Sequence, residues 1–173
     1  MAVVLNHNII PDQEIKESVI IPGRAMIISI QWHANLIITI LNIYAPNATS
    51  ENSVFWKEIK LRFDNQRIPK PNIMLSNFNI VEDRIDRLPC KHDNTIATES
   101  LQELRNYLSL VDGWRTNSPT YKGYTHTQKP AMTKARPDGI YSTKKIVDTA
   151  TDCEIDESRI ETDHSLVSVI ITN

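Results

Sequence analysis

Apolar and polar positions change period several times along this chain, and the changes mark its elements. From Arg24 to Trp32 they alternate, with Met26, Ile28, Ile30 and Trp32 on one face and Ser29 and Gln31 on the other. That is the period of a strand. His33-Ala34-Asn35 supplies a hairpin turn after it. Leu36 to Ala45 is apolar at both parities, so it reads as a central strand covered on both faces, and Pro46 ends it. Ser50 to Gln66 switches to helical spacing: Asn52, Phe55, Trp56, Ile59 and Phe63 fall on one stripe. Glu51 sits where the helix dipole is positive. Pro69 and Pro71 separate this helix from a strand over Asn72 to Leu75. A second helix runs from Ile96 to Leu108, with Ala97, Leu101, Leu104 and Leu108 facing inward.

The flanking segments read less sharply. Ala2 to Leu5 is a short strand, Asn6 to Asp12 a turn-rich loop, and Ile15 to Ile21 a strand closed by Pro22-Gly23. Later strands lie near Tyr124 to Thr127, Gly139 to Ser142, Val147 to Ile155 and Leu166 to Thr172. Strands outnumber helices, and the β-β-α-β order is not a simple alternation. Sheets packed together with helices outside satisfy that pattern.

Composition narrows the class. The chain has 173 residues, 40% hydrophobic and 23% charged, which is an ordinary globular balance and enough for one domain spanning 1–173. A net charge of −2 gives no basic footprint for tight nonspecific nucleic-acid binding, while leaving room for a nuclease with a local basic groove. Cys90 and Cys153 lack zinc spacing and read as two reduced thiols of an intracellular protein. No run of about 18 apolar residues exists to span a membrane. Met1 to Leu5 has no basic flank or cleavage pattern, and no targeting signal is visible.

Two segments carry candidate chemistry. Ile73-Met74-Leu75-Ser76-Asn77-Phe78-Asn79 puts two amides at the mouth of a buried strand. Glu161-Thr162-Asp163-His164-Ser165 places a carboxylate and an imidazole just before another apolar strand. Alone, the first is an ordinary turn and the second a solvated strand start. Together they make a polar cluster at strand ends, suited to a phosphate and a metal ion.

With these segments placed, the chain resembles the endonuclease/exonuclease/phosphatase family, and within it the endonuclease domain of LINE-type (non-LTR) retrotransposons. Five stretches carry the likeness in order. They are Leu41-Asn42-Ile43-Tyr44-Ala45-Pro46-Asn47, Met74-Leu75-Ser76-Asn77-Phe78-Asn79, and Leu110-Val111-Asp112-Gly113-Trp114-Arg115 followed by Tyr124-Thr125. The others are Ala135-Arg136-Pro137-Asp138-Gly139-Ile140-Tyr141 and Thr162-Asp163-His164-Ser165-Leu166-Val167. The resemblance implies an α/β (α+β type) fold: a four-layer αββα sandwich of two packed β-sheets with outer helices. It also implies a Mg²⁺-dependent phosphodiester hydrolase acting on DNA in the nucleus, with no obligate protein partner. Carried over by motif, His164 contacts the scissile phosphate and Asp138 orients its imidazole. Asn79 and Tyr44 donate to phosphate oxygens, and Asp163 lies at or near the metal. Arg136 is left between a phosphate contact and a surface ion pair.

The chain departs from the family in places that bear on catalysis. Position 77 is Asn where the family has the Asp that draws a proton from water, a contribution of roughly 10²–10⁴-fold. Ala2 to Asn6 resembles a strand well inside the family pattern, so the earlier Asn-bearing strand and the Glu that is the main metal ligand have no counterpart, and a strand that should be central becomes an edge. Pro137 and Gly139 flank Asp138 where the family has strand formers, and Ser76 replaces a glycine. The expectation is a phosphodiester hydrolase with little or no activity. The alternative is a catalytically dead, element-derived remnant with at most a nucleic-acid or protein contact. A third reading, a phosphomonoesterase or lipid-head-group hydrolase on the same fold, fits the motifs less well.

Overall fold

The computed structural model describes residues 2–172 apart from 7, 9, 11–14, 33–35 and 159. The expected turn at His33-Ala34-Asn35 and part of the Asn6 to Asp12 loop lie outside the described residues. Strands β1 (Lys16–Ile21), β2 (Ala25–Gln31), β3 (Ile37–Tyr44) and β4 (Ile73–Asn77) follow one another, with helix α1 (Thr49–Gln66) between the last two. Then come β5 (Arg87–Leu88), α2 (Thr95–Leu108), β6 (Leu110–Asp112) and α3 (Gly113–Asn117). The chain ends with β7 (His126–Gln128), β8 (Thr133–Ala135), β9 (Asp138–Thr143), α4 (Lys144–Thr149), β10 (Ala150–Asp156) and β11 (Leu166–Ile171).

A six-stranded sheet runs in the order β1-β2-β3-β4-β9-β6. Every pairing in it is antiparallel except β3 with β4, which is parallel. Parallel neighbours need a crossover, and α1 provides it with 18 residues. The stripe read from sequence is the buried one: Asn52, Phe55, Trp56, Ile59 and Phe63. Helix α2 adds Ala97, Leu101, Leu104 and Leu108 to the same core. Its first turn is capped by Asn94, whose side-chain oxygen accepts from the Ala97 N–H at 3.1 Å. These helices cover one face of the sheet, meeting Ala25, Ile27, Leu41, Ile43 and Met74.

The opposite face carries Ile30, Ile38 and Ile73, joined by Ile40, Leu75, Ile140, Ile146 and Ile171. The central strands are therefore apolar on both sides because both sides are covered. The cover here is the antiparallel pair β10–β11, and a third sheet, β5-β8-β7, lies beside it. An isolated bridge between His126 and His164 stitches β7 to the residue pair ahead of β11. The protein is thus a mixed α/β sandwich of packed sheets and helices.

Several elements differ from the sequence reading. Ala2 to Leu5 forms no strand; its Ala2 carbonyl accepts from the Asn42 side-chain amide at 3.2 Å, and Leu5 packs on the second core. Apolar β-branched residues make a strand only where a partner edge receives them. Val147 to Thr149 belongs to α4, so the strand expected from Val147 starts at Ala150. Short β5, β6 and β8 and helix α3 carry too few residues to show a period.

Candidate active site

Strand register builds the site. Tyr44 at the end of β3 lies opposite Asn77 at the end of β4, and Asn77 lies opposite Asp138 at the start of β9. Residues paired across a sheet share a face, so this row sits at the mouth of the space between the sheets. After β4 the chain turns sharply. The Asn79 N–H donates to Asn77 Oδ1 at 3.0 Å, and Asn79 adopts φ 55°, a left-handed conformation that Asn tolerates. One Asn79 side-chain N–H donates to the Ala45 carbonyl at 2.6 Å, which leaves its second N–H for a ligand. Behind the turn, fully buried Asn52 donates to the carbonyls of Pro46 (3.0 Å) and Phe78 (2.9 Å), and Trp56 Nε1 donates to its oxygen at 2.6 Å. Helix α1 thereby fixes the loop that carries both asparagines.

Ser76, Pro137 and Gly139 are each accommodated where they stand. Ser76 turns its hydroxyl onto the Ile43 carbonyl at 2.9 Å. Pro137 stands just outside β9, where no N–H is needed, and its carbonyl accepts from the Phe78 N–H at 2.7 Å. A Cβ at Gly139 would press on the Phe78 ring at 3.3 Å, so the glycine matches a close approach. Asp138 is consequently held in register.

His164 reaches the row from the other sheet. Its Nδ1 lies 2.7 Å from Asp138 Oδ2. The same carboxylate oxygen accepts from Thr125 Oγ1 at 2.7 Å, and the Asp138 N–H returns to that hydroxyl at 3.2 Å. A carboxylate at this distance fixes the imidazole tautomer and favours a proton on Nδ1. Asp163 projects next to it, and its Oδ2 lies 3.2 Å from His126 Nε2. The Asp163 carboxyl is held below the usual range, first by its own backbone N–H and then by His126 and His164. The His126 and His164 rings tilt against each other with centroids 4.7 Å apart.

Tyr44, Asn77, Asn79, Asp163 and His164 all line one cleft of about 400 Å³, together with Asn47, His126, Gln128 and Pro137. Asp138 stands behind His164 rather than at the surface of this cleft. Of the residues singled out from sequence, Arg136 alone is elsewhere. It is neither a phosphate contact nor a surface ion pair: its guanidinium is buried, forks onto Asp86 (2.9 and 2.8 Å) and reaches Asp112 at 2.6 Å. Arg115 also binds Asp86. Burial works against the Arg136 charge, but the two carboxylates outweigh it and raise its pKa. That buried network anchors the entry to β9 two residues before Asp138. His126 was not foreseen, since nothing local marks it; only its pairing with His164 brings it to the cleft.

Fold and cleft define a mixed α/β sandwich with a polar cleft at its strand ends. No family model matches the chain. Among solved structures, the endonuclease domain of TRAS1, a telomere-specific non-LTR retrotransposon, superposes with a TM-score of 0.65 at 18% identity, covering 93% of this chain and 70% of that one. An AP endonuclease from Archaeoglobus fulgidus gives 0.69 at 17% identity, covering 86% of this chain and 65% of that one. The 3′ phosphatase NExo from Neisseria, bound to product DNA hairpin, gives 0.66 at 17% identity, again covering 86% and 65%. The chain thus spans less than two thirds of the last two. At such identity the likeness establishes the fold.

Proposed function

We propose that the cleft receives the backbone of DNA and belongs to a phosphodiester hydrolase whose turnover is small. The observation that supports this reading is the row Tyr44–Asn77–Asp138 at the mouth of the sheets, with His164 bonded to its Asp138 end. In this reading His164, held through Nδ1 by Asp138, lies beside the phosphate. The second Asn79 N–H and the Tyr44 hydroxyl donate to the same group. Such fixed donors favour the extra negative charge of an attacked phosphate. Asn77 stands where a base would be useful, but an amide accepts no proton from water, and general-base help is worth roughly 10²–10⁴-fold.

A Mg²⁺ ion was expected from the family resemblance, and the donors fit it poorly. Mg²⁺ takes oxygen ligands, usually one or two carboxylates with waters. Among the described residues lining the cleft, Asp163 is the one carboxylate, and it is flanked by imidazole nitrogens. No step is therefore assigned to magnesium. Retrotransposon origin, and with it a nuclear location, accompanies this reading through the likeness to the TRAS1 domain. Among the described residues no helix is long and apolar enough to cross a membrane.

Two assays test the proposal. Fluorescence anisotropy with a labelled duplex is expected to show weak, salt-sensitive binding that the Asn79→Ala and Tyr44→Phe variants reduce. Plasmid incubated with Mg²⁺ is expected to be nicked only slowly by the protein, and more slowly still by His164→Ala. Absence of any DNA binding would remove the substrate assignment. Rapid nicking that disappears in His164→Ala would show the turnover to be large.

A further inference from the structure

We propose that His126, Asp163 and His164 form a binding site for one divalent transition-metal ion of the zinc or cobalt class. Each residue offers a ligand atom, and the three atoms lie within 4.8 Å of one another. The His126 Nε2 to Asp163 Oδ2 separation is 3.2 Å, long for a charge-assisted hydrogen bond. Two ligands on one tetrahedral zinc ion, each about 2.0–2.1 Å from it, sit about 3.3 Å apart. The pair is therefore already at the spacing of two neighbours around such an ion.

The donors come from separate segments, yet the backbone holds them together. His126 and His164 face each other across a β-bridge. On either side of it, the Thr127 N–H donates to the Asp163 carbonyl at 3.1 Å and the Ser165 N–H to the Thr125 carbonyl at 2.7 Å. Facing residues of a bridge send their side chains to one side, which accounts for the rings at 4.7 Å. A hydrogen-bonded bridge is a better support for a ligand set than a free loop.

An outer group is also in place. Asp138 occupies Nδ1 of His164, and Thr125 in turn donates to Asp138. A carboxylate on one ring nitrogen leaves the other as the lone-pair donor, the arrangement found behind many metal-bound imidazoles. Two imidazole nitrogens and one carboxylate oxygen select zinc, cobalt or nickel over magnesium. The cleft of about 400 Å³ leaves a further coordination position open to water or a ligand. The same three residues that fit Mg²⁺ poorly thus fit a softer ion.

The test uses the full chain stripped of metal with a chelator, in the absence of DNA. Co²⁺ is titrated by visible absorption and Zn²⁺ by calorimetry. One equivalent of each is expected to bind, and Mg²⁺ in large excess is expected not to displace it. His126→Gln and Asp163→Asn should each weaken binding at least about tenfold, and Asp138→Asn, acting through His164, by about 10–100-fold. Each variant is first checked for wild-type circular dichroism and melting. His92→Gln and the Cys90→Ser/Cys153→Ser double variant should bind as the parent does. No saturable binding, binding that survives His126→Gln in a folded variant, or binding lost in the cysteine variant would overturn the site. Because no DNA is present, a negative result leaves the phosphodiester reading standing, and a failed DNA assay leaves this site standing.

Discussion

On its helix-covered face the six-stranded sheet encloses Leu41 and Met74 completely against Trp56, Ile59, Leu101 and Leu104, all at 0% exposure. On the face turned to β10 and β11, Ile28, Ile30, Ile38 and Ile73 fall below a tenth exposed, while Ile40, Leu75, Ile140 and Ile171 remain partly open. The second layer is narrow: β10 and β11 form a two-stranded sheet, and Leu166 and Ile170 of β11 stay more than half exposed. Burial of apolar surface is the main favourable term in folding, so stability concentrates on the helix side. The polar chemistry lies on the other side, between the sheets. A cleft needs polar groups with unfilled hydrogen-bonding capacity, and those are incompatible with the dry packing that α1 and α2 provide.

The comparison can be broken by truncating one residue on each face. Leu104→Ala removes a fully buried side chain from between α2 and the sheet, and should cost about 2–5 kcal/mol. Ile140→Ala on the cleft face is expected to cost about 1 kcal/mol, because its side chain is already partly open and borders a cavity of about 320 Å³. Urea unfolding measures both. Equal losses would mean that the two faces contribute alike.

The same contrast separates what the sequence disclosed from what it hid. The stripe Asn52, Phe55, Trp56, Ile59 and Phe63 was legible because one face of a long helix repeats its period over many turns. Strand β3 was legible because both of its faces are covered. Asn77 and Asn79 stood out locally, as polar residues closing an apolar run. His126 did not, because its place depends on a bridge to a residue far along the chain. Arg136 was misplaced for a related reason: its partners Asp86 and Asp112 belong to other elements, and a sequence shows a charge without showing what neutralises it. The Asp138–His164 pairing came from the family resemblance rather than from periodicity. Ala2 to Leu5 shows the converse failure, strand-like composition with no ladder to join.

A second prediction sharpens the comparison through pH. Tyr141 lies in the helix-face core, its ring tilted against Phe78 with centroids 4.7 Å apart. Burial first, then the negative charges of Glu82 and Asp112, raises its hydroxyl pKa well above the usual value. The sign follows from proton counting. Above about pH 10 the unfolded chain releases this proton while the folded chain keeps it. The folded state then binds more protons, so stability falls as pH rises, by up to about 1.4 kcal/mol per pH unit, and no such loss occurs below that range. Tyr141→Phe keeps the ring and removes the proton. Its urea midpoint is expected to match the parent near neutral pH and to decline less steeply above about pH 10. Parallel declines in the two proteins would place the alkaline sensitivity elsewhere.

The smallest effect is expected at Asn77, on the cleft face. Its Oδ1 accepts from the Asn79 N–H, and a carboxylate oxygen of the same shape would do the same. Asn77→Asp should therefore leave the turn intact and the melting temperature nearly unchanged. It would add a negative charge directly across the sheet from Asp138, whose oxygen is already committed to His164 and Thr125. Water activation alone is of limited use where the negative charge of an attacked phosphate is not offset, and Asp163 is the only other carboxylate among the described cleft residues. Groups that act as a unit give little when one is repaired. We expect Asn77→Asp to raise Mg²⁺-dependent plasmid nicking by less than about tenfold, against the roughly 10²–10⁴-fold that a working general base supplies. The rates should be compared at fixed salt in the Asn77→Asp protein and in an Asn77→Asp/His164→Ala control. A single substitution that restored the full general-base factor, and lost it again with His164→Ala, would show the cleft to be complete apart from one atom. The loosely packed face would then be as finely positioned as the helix-covered one.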